Sequence, residues 1–436
     1  MTILNEGGTP DVLSPLHAVY GLAARLAGTM VAVVGTRAET HTVQSLSAAF
    51  YPHLRHNRRV VFVVLDPHSP PAQGRLASQL VATAAGLRGV DSVLLLAGRS
   101  AALVGVDAGF EAQLLARRLE LPVGVADLDD GTPGALSTDL EDHAQAALVE
   151  LCPKGTGERP RSPDPDPRKR GLLGGLLRRE REETQGQRRS PVVLLGTSAG
   201  TARELSEELE RTGTEVAGVV PAVGGERLPP VDEESVVALM DPYLARSARA
   251  AGERGARVVR TLMPIGVDGT ARFVQDVAAA AGTPTSEAVR ARTVRQGLEP
   301  LRNRIRGKRI FFAGDTGLEI PLARFLADGG AVVLEVGAPR LDRRLLTPEI
   351  QALGADVDVV ESPDWRGQIE RADEHRPDLV ISSPGLYGPL VARGHLCRSS
   401  LDLLNLGVHG YEGARRVLEM LVRSFDRAEA LDSLNL

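Results

Sequence analysis

The sequence predicts an α/β protein of three Rossmann-like, doubly wound parallel-sheet domains, and three observations predict it. Short β-branched runs alternate with amphipathic helical stretches along the chain, the pattern of parallel βαβ units. The strand candidates are unbroken apolar runs rather than alternating ones, as expected where helices cover both faces of a sheet. A chain of 436 residues also exceeds one ordinary core and calls for about two to four domains.

In the first third the strand candidates are Met30–Val34, Val60–Leu65, Ser92–Ala97 and Val123–Asp127. Helical patterns fall between them at Ala72–Leu87, Ala108–Leu119 and Leu140–Leu151, which makes residues 1–152 a first domain. Residues 153–190 change character. PKGTGERPRSPDPDPRKR is Pro-rich and charged, the composition of a flexible linker. Within it, Leu172, Leu173, Leu176 and Leu177 would line one face of a short basic helix, the pattern that touches a partner or an anionic membrane. Two central glycines, each costing about 1 kcal/mol of helix propensity, favour a linker without structure of its own.

The second domain, 191–306, opens on PVVLLGTSAG as strand and turn, TARELSEELERTG as helix and TEVAGVVP as strand. The third, 307–436, repeats that order with KRIFFAGD, LEIPLARFLADGG and AVVLEVG. The repeat is one of structure and not of sequence identity.

Composition narrows the function. Hydrophobic residues make up 43% of the chain and aromatic ones 3%, so the cores are built of Ala, Val and Leu. A formal net charge of −5 argues against a chain-wide nucleic-acid surface. The two cysteines, Cys152 and Cys397, make neither a zinc site nor a disulfide framework. The start, MTILNEGGTPDV, lacks a signal-peptide pattern, and no apolar run approaches the roughly 20 residues of a membrane span. The expectation is a soluble, cytoplasmic protein.

Several residue groups are candidates for chemistry. Gly196-Thr197-Ser198-Ala199-Gly200 is a literal G-x-S-x-G, which would make Ser198 a nucleophile with a later Asp and one of His375, His395 or His409. This strand opens its domain directly after the linker, however, whereas a nucleophile elbow follows several strands of its sheet. A small-residue turn that packs the helix closely, or binds an anion at the helix start, is the competing reading. No G-x-G-x-x-G follows a strand and no G-x-x-x-x-G-K-[ST] is present, so nucleotide hydrolysis would belong to another chain. His53 and His56 sit beside Tyr51 and Arg55 without a carboxylate or thiol to complete a metal site. Asp315 and Glu319 flank a strand-to-helix turn, where open α/β sheets bind ligands; the plainer role for Asp315 is a helix N-cap.

A series of phrases then fixes a resemblance. Asp241-Pro242-Tyr243-Leu244 precedes Met263-Pro264-Ile265-Gly266-Val267-Asp268-Gly269-Thr270. Gly314-Asp315 follows with Leu318-Glu319-Ile320-Pro321-Leu322-Ala323-Arg324-Phe325-Leu326, then Arg376-Pro377-Asp378-Leu379-Val380, Pro389-Leu390-Val391-Ala392-Arg393-Gly394 and His409-Gly410-Tyr411. In this order and spacing they resemble the N subunits of light-independent protochlorophyllide reductases, relatives of the nitrogenase component-1 proteins. The resemblance covers the chain outside the linker and is strongest after Pro191.

The resemblance implies a nitrogenase-like oxidoreductase subunit that pairs with a homologous B-like subunit, as in bacteriochlorophyll biosynthesis. An ATP-hydrolysing iron–sulfur reductase delivers electrons to a 4Fe–4S iron–sulfur cluster at the subunit interface, and these pass to a bound tetrapyrrole. Three cysteines of the N subunit, all in the first domain, hold that cluster. In this chain the matching positions are Ser14, Glu39 and Ser100, and no cysteine precedes Cys152. Two hydroxyls and a carboxylate are a poor substitute for three thiolates. The expectation is a subunit without a cluster of its own, working with a partner's redox centre, or else a redox-inactive paralogue that binds or scaffolds, in a heteromer or a homo-oligomer. Arg37, Asp315, Glu319, Arg393 and His409 are the residues expected nearest a tetrapyrrole-binding cleft.

Overall fold

Valine- and leucine-rich runs that bury both faces build three parallel sheets in the computed structural model. It describes residues 3–8, 19–26, 28–50, 56–69, 73–128, 137–155, 189–196, 199–222, 228–354 and 357–433. The strands are β1 (Ile3–Asn5), β2 (Thr29–Thr36), β3 (Val60–Leu65), β4 (Ser92–Ala97), β5 (Val123–Asp127), β6 (Val192–Leu195), β7 (Val216–Val220), β8 (Val236–Leu239), β9 (Arg257–Val259), β10 (Arg309–Ala313), β11 (Val332–Ala338), β12 (Asp358–Glu361), β13 (Leu379–Ser382) and β14 (Cys397–Ser399). The sheets run β3-β2-β4-β5, β7-β6-β8-β9 and β1-β12-β11-β10-β13-β14. Each sheet therefore reverses its strand order once, between β2 and β4, β6 and β8, and β10 and β13, as doubly wound sheets do.

The first-domain strands stand where the apolar runs predict them, with the Met30–Val34 run extended to Thr29–Thr36. The helix Ala108–Leu119 starts where Asp107 accepts the Phe110 amide at 2.9 Å, an N-cap. The helix expected over 72–87 is shorter, Arg75–Ala85. Gly74 ahead of it is left-handed at φ 79°, and its amide donates to Glu111 Oε1 at 2.6 Å. The linker's leucine face, His53, Tyr51 and Arg55 lie outside the described residues.

The segment Ile3–Asn5 departs from the sequence reading. It pairs with β12 in the third sheet, Ile3 opposite Val359, and not with the rest of residues 1–152. Glu6 holds it there: its carboxylate takes Arg371 Nη1 and the Asp364 amide, both at 2.7 Å. A side chain at Gly8 would collide with the backbone carbonyl of Pro363, so the chain passes too close for anything but glycine. Three residues, two of them exposed, carry no periodicity that a sequence reading could detect.

Buried polar groups stitch the three sheets together. Asp142, on the helix Ser137–Leu151, accepts from the amides of Arg246 and Ser247 at 2.8 and 2.9 Å, capping the helix Ala245–Glu253 of the second domain. Between the second and third domains, Arg324 is 1% exposed. Its Nε donates to Glu349 Oε2 at 2.6 Å and its Nη2 to the Ile265 carbonyl at 2.8 Å, while Glu349 Oε1 accepts the Met263 amide at 2.6 Å. The long C-terminal helix Gly410–Ser433 crosses the helices Gly266–Ala280 and Ala288–Ile305 of the second domain.

Candidate functional site

The carboxyl ends of the strands, at the three points of reversed order, are where this architecture places ligands. In the first sheet, β2 and β4 lie side by side with Val34 opposite Ala97, so Arg37–Glu39 after β2 and Gly98–Ser100 after β4 leave the sheet together. Ser100 Oγ accepts the Thr36 amide at 2.8 Å and donates to the Glu39 carboxylate. That carboxylate lies over both bare glycines: a Cβ on Gly35 or on Gly98 would strike its oxygens. Glu39 stands in the first turn of the helix Arg37–Phe50, where the helix dipole favours a negative charge. Arg37 opens that helix and is exposed at the same sheet end.

The second and third sheets turn their carboxyl ends toward each other. Asp241 follows β8 and receives His409 Nε2 at 2.8 Å; the two are 0% and 2% exposed. An antiparallel bridge between Ile265 and His409 fixes the register of this contact. Gly196, after β6, backs onto Asp241, since a Cβ there would come within 2.6 Å of Asp241 Oδ2. Asp241 and His409 thus stand beside the start of the G-x-S-x-G sequence, whose Ser198 lies outside the described residues. Their burial makes them a sealed brace between domains.

Across from them, Asp315 Oδ1 accepts Ser400 Oγ at 2.7 Å. Asp315 is not the N-cap; the helix Glu319–Asp328 begins after Leu318 and has no side-chain cap. Glu319, in its first turn, accepts the Thr316 amide and Thr316 Oγ1 on Oε1, at 2.8 and 2.9 Å. Its Oε2 is buried without a hydrogen-bond partner, and burial pushes its carboxyl above the usual carboxylate range. Gly317 of the same turn faces Tyr243, two residues beyond Asp241, with the site of its missing Cβ 3.5 Å from the tyrosine Cβ.

The structure therefore gathers Asp315 and Glu319 at one strand end and brings His409 to the facing end of the second sheet. Arg37 marks the corresponding end of the first sheet. Arg393 does not belong with them. It ends the turn after the helix Pro384–Ala392 and leads into β14, at the amino-terminal edge of the third sheet, where it pairs with Asp373. Asp241 and Ser400 were not singled out from the sequence. Asp241 stands two residues past β8 at a reversal point, as Asp315 stands two residues past β10.

The iron–sulfur cluster expected from the resemblance would need thiolates. Of the three positions assigned to it, Ser14 lies outside the described residues, and Glu39 and Ser100 are bonded to each other. Cys152 and Cys397 are buried, and burial pushes both thiols up to about 12. These donors do not fit the cluster.

The family described as nitrogenase component 1 type oxidoreductase matches residues 141–426. The light-independent protochlorophyllide reductase subunit N of Heliobacterium modesticaldum is 31% identical over 437 residues, 98% of this chain and 97% of that protein. Its counterpart in Roseiflexus sp. (strain RS-1) is 40% identical over 245 residues, 56% of this chain and 59% of the relative, so that match spans less than two thirds of the relative's length. Among solved structures, one titled "Nitrogenase Cp1 at pH 6.5" shares the fold with a TM-score of 0.66 at 14% identity, covering 99% of this chain and 95% of that one. With the sheet order, the reversal points and these matches in agreement, the chain belongs to the nitrogenase component 1 type oxidoreductase family.

Proposed function

We propose that this chain is the N-like subunit of a nitrogenase-like reductase that binds a tetrapyrrole, or a similar flat anion, between its strand ends and relies on a redox centre outside itself. The observation that carries the reading is the Glu39–Ser100 pair. Both residues stand where the resemblance requires thiolates, and the carboxylate occupies the space over Gly35 and Gly98. Arg37 supplies a cation beside that space, and Asp315, Glu319 and His409 brace the facing strand ends from inside the protein. On this reading a homologous B-like chain carries the iron–sulfur ligands, and an ATP-hydrolysing iron–sulfur reductase delivers the electrons. In the second reading the chain is a redox-inactive binding or scaffold subunit. The internal satisfaction of Glu39 by Ser100, which leaves that end of the sheet closed on itself, favours it.

The test is anaerobic purification with whatever chain co-purifies, followed by iron, sulfide and visible-absorption analysis. Stoichiometric iron and sulfide that depend on the partner's cysteines support the first reading. Iron-free complexes that still bind a tetrapyrrole support the second. Stoichiometric cluster in this chain alone refutes both. A fluorophosphonate probe that labels Ser198 would instead revive the hydrolase alternative.

A further inference from the structure

Two of the phrases that carry the resemblance meet far from the strand ends described above. Arg376-Pro377-Asp378 leads into β13 and Arg393-Gly394-His395-Leu396 into β14. Both therefore lie at the amino-terminal edge of the third sheet, against the last turns of the C-terminal helix. Together with Lys308 ahead of β10 they line an open cavity of about 680 Å³. That is within the roughly 300–1,000 Å³ typical of small-molecule sites.

The charges on its wall are mostly spent on one another. Asp373 takes both Arg393 and His395 Nε2, the latter at 2.8 Å, and these partners hold its carboxyl below the usual range. Lys308 Nζ lies 3.8 Å from Glu429 and 5.0 Å above the Phe425 ring. Asp378 accepts the Arg309 amide at 2.7 Å. Among the described residues the exposed guanidinium of Arg376 has no such partner. Its backbone is left-handed at φ 46°, a conformation that costs a non-glycine residue about 1–2 kcal/mol, and it ends the helix Trp365–His375. Beside it, nothing lies within 4 Å of where a Gly394 side chain would begin, so there is room next to the cation. Pro377, Leu396, Phe425 and Ala428 make the apolar part of the wall.

We propose that this cavity is a second binding site, for a small monoanion with a flat apolar body, an aromatic carboxylate or sulfonate in class. The anionic head pairs with Arg376 and the body lies along Pro377, Leu396 and Ala428. Asp378 and Glu429 on the same wall disfavour a dianion. The site stands at the opposite edge of the sheet from Asp315 and Glu319, and it does not depend on the function proposed above.

The probe is 8-anilinonaphthalene-1-sulfonate, titrated by fluorescence into the full chain. One saturable site is expected, with its Kd raised about tenfold or more in Arg376→Gly, as loss of a charge-assisted contact predicts. Glycine tolerates the left-handed backbone, so this variant keeps the fold. Ala428→Trp, which fills the cavity from the helix side, should abolish the same component, and a naphthalene disulfonate should bind more weakly than the monosulfonate. Absence of saturable binding, or equal Kd values in wild type, Arg376→Gly and Ala428→Trp, overturns the proposal. Tighter binding of the disulfonate overturns the preference for a monoanion.

Discussion

Glu319 keeps one carboxyl oxygen buried without a partner, and burial raises its pKa. In the unfolded chain a glutamate titrates near about 4.3. The folded protein therefore takes up this proton at a higher pH than the unfolded chain does. The associated stability is fully present below the unfolded value and is lost as pH rises through the folded one. Glu319→Gln, neutral throughout, should melt at a higher temperature than wild type near pH ~8 and lose that advantage toward pH ~4. A difference in Tm that does not change with pH would count against the buried, protonated carboxyl. The thiols give a second test. With both pushed up to about 12, Cys152 and Cys397 should resist Ellman's reagent in the native protein and react fully in guanidinium. Prompt labelling of either thiol in native protein would contradict their burial. Residue types alone showed that Glu39 and Ser100 are poor iron ligands. That they bond to each other was not legible, because the two are 61 residues apart and only the adjacency of β2 and β4 joins them.

At the scale of elements, continuous apolar runs located β3, β4 and β5, because burial on both faces leaves a strong compositional signal. The alternating order of strands and helices then gave the doubly wound class. What failed was direction along a strand. Arg393 was grouped with Asp315, yet Arg393-Gly394 precedes its strand whereas Gly314-Asp315 follows one, and ligands collect at the carboxyl end. Asp142 capping a helix of another domain was equally hidden, since its acceptor role depends on packing between residues about a hundred positions apart. Asp142→Ala should cost about 0.5–2 kcal/mol, the usual loss for a helix N-cap, measured by denaturant unfolding. Gly8→Ala should lift Ile3–Asn5 from β12, because the obstacle is a backbone carbonyl that cannot turn aside. Hydrogen exchange at the Glu6 amide, which donates to the Glu361 carbonyl, reports this directly; unchanged protection would show that the passage is wider than described.

For the whole molecule, Arg324 and Glu349 form a buried polar brace between the second and third sheets, within the apolar packing around Met263, Ile265 and Val267. Neither residue reaches water, and each also satisfies a backbone group of the second domain near Met263 and Ile265. Arg324→Ala should destabilise by about 3–5 kcal/mol, because it leaves the Glu349 charge buried and unpaired. Adding Glu349→Leu to that variant should recover part of the loss, a non-additivity that a double-mutant cycle measures. Equal additive losses would mean the two side chains are not coupled. The α/β class and its parallel sheets were readable from sequence. The braces were not, because buried Arg, Glu, Asp and His at domain junctions look the same in sequence as surface charges.

The pairing of Ile3 with Val359 also sets a schedule for the chain as it is made. Within this sequence the edge strand of the third sheet is made some 350 residues before its partner. At roughly 5–20 residues per second, that leaves on the order of 20–70 s in which the third sheet lacks this edge. The first two sheets can complete within that window, and the pairing of β1 with β12 then closes a chain loop that contains both of them. Closing a loop of that length costs only slowly more entropy than closing a short one, but it must wait for synthesis. The order of translation, and not the strength of the contact, therefore sets the earliest moment at which this edge can pair.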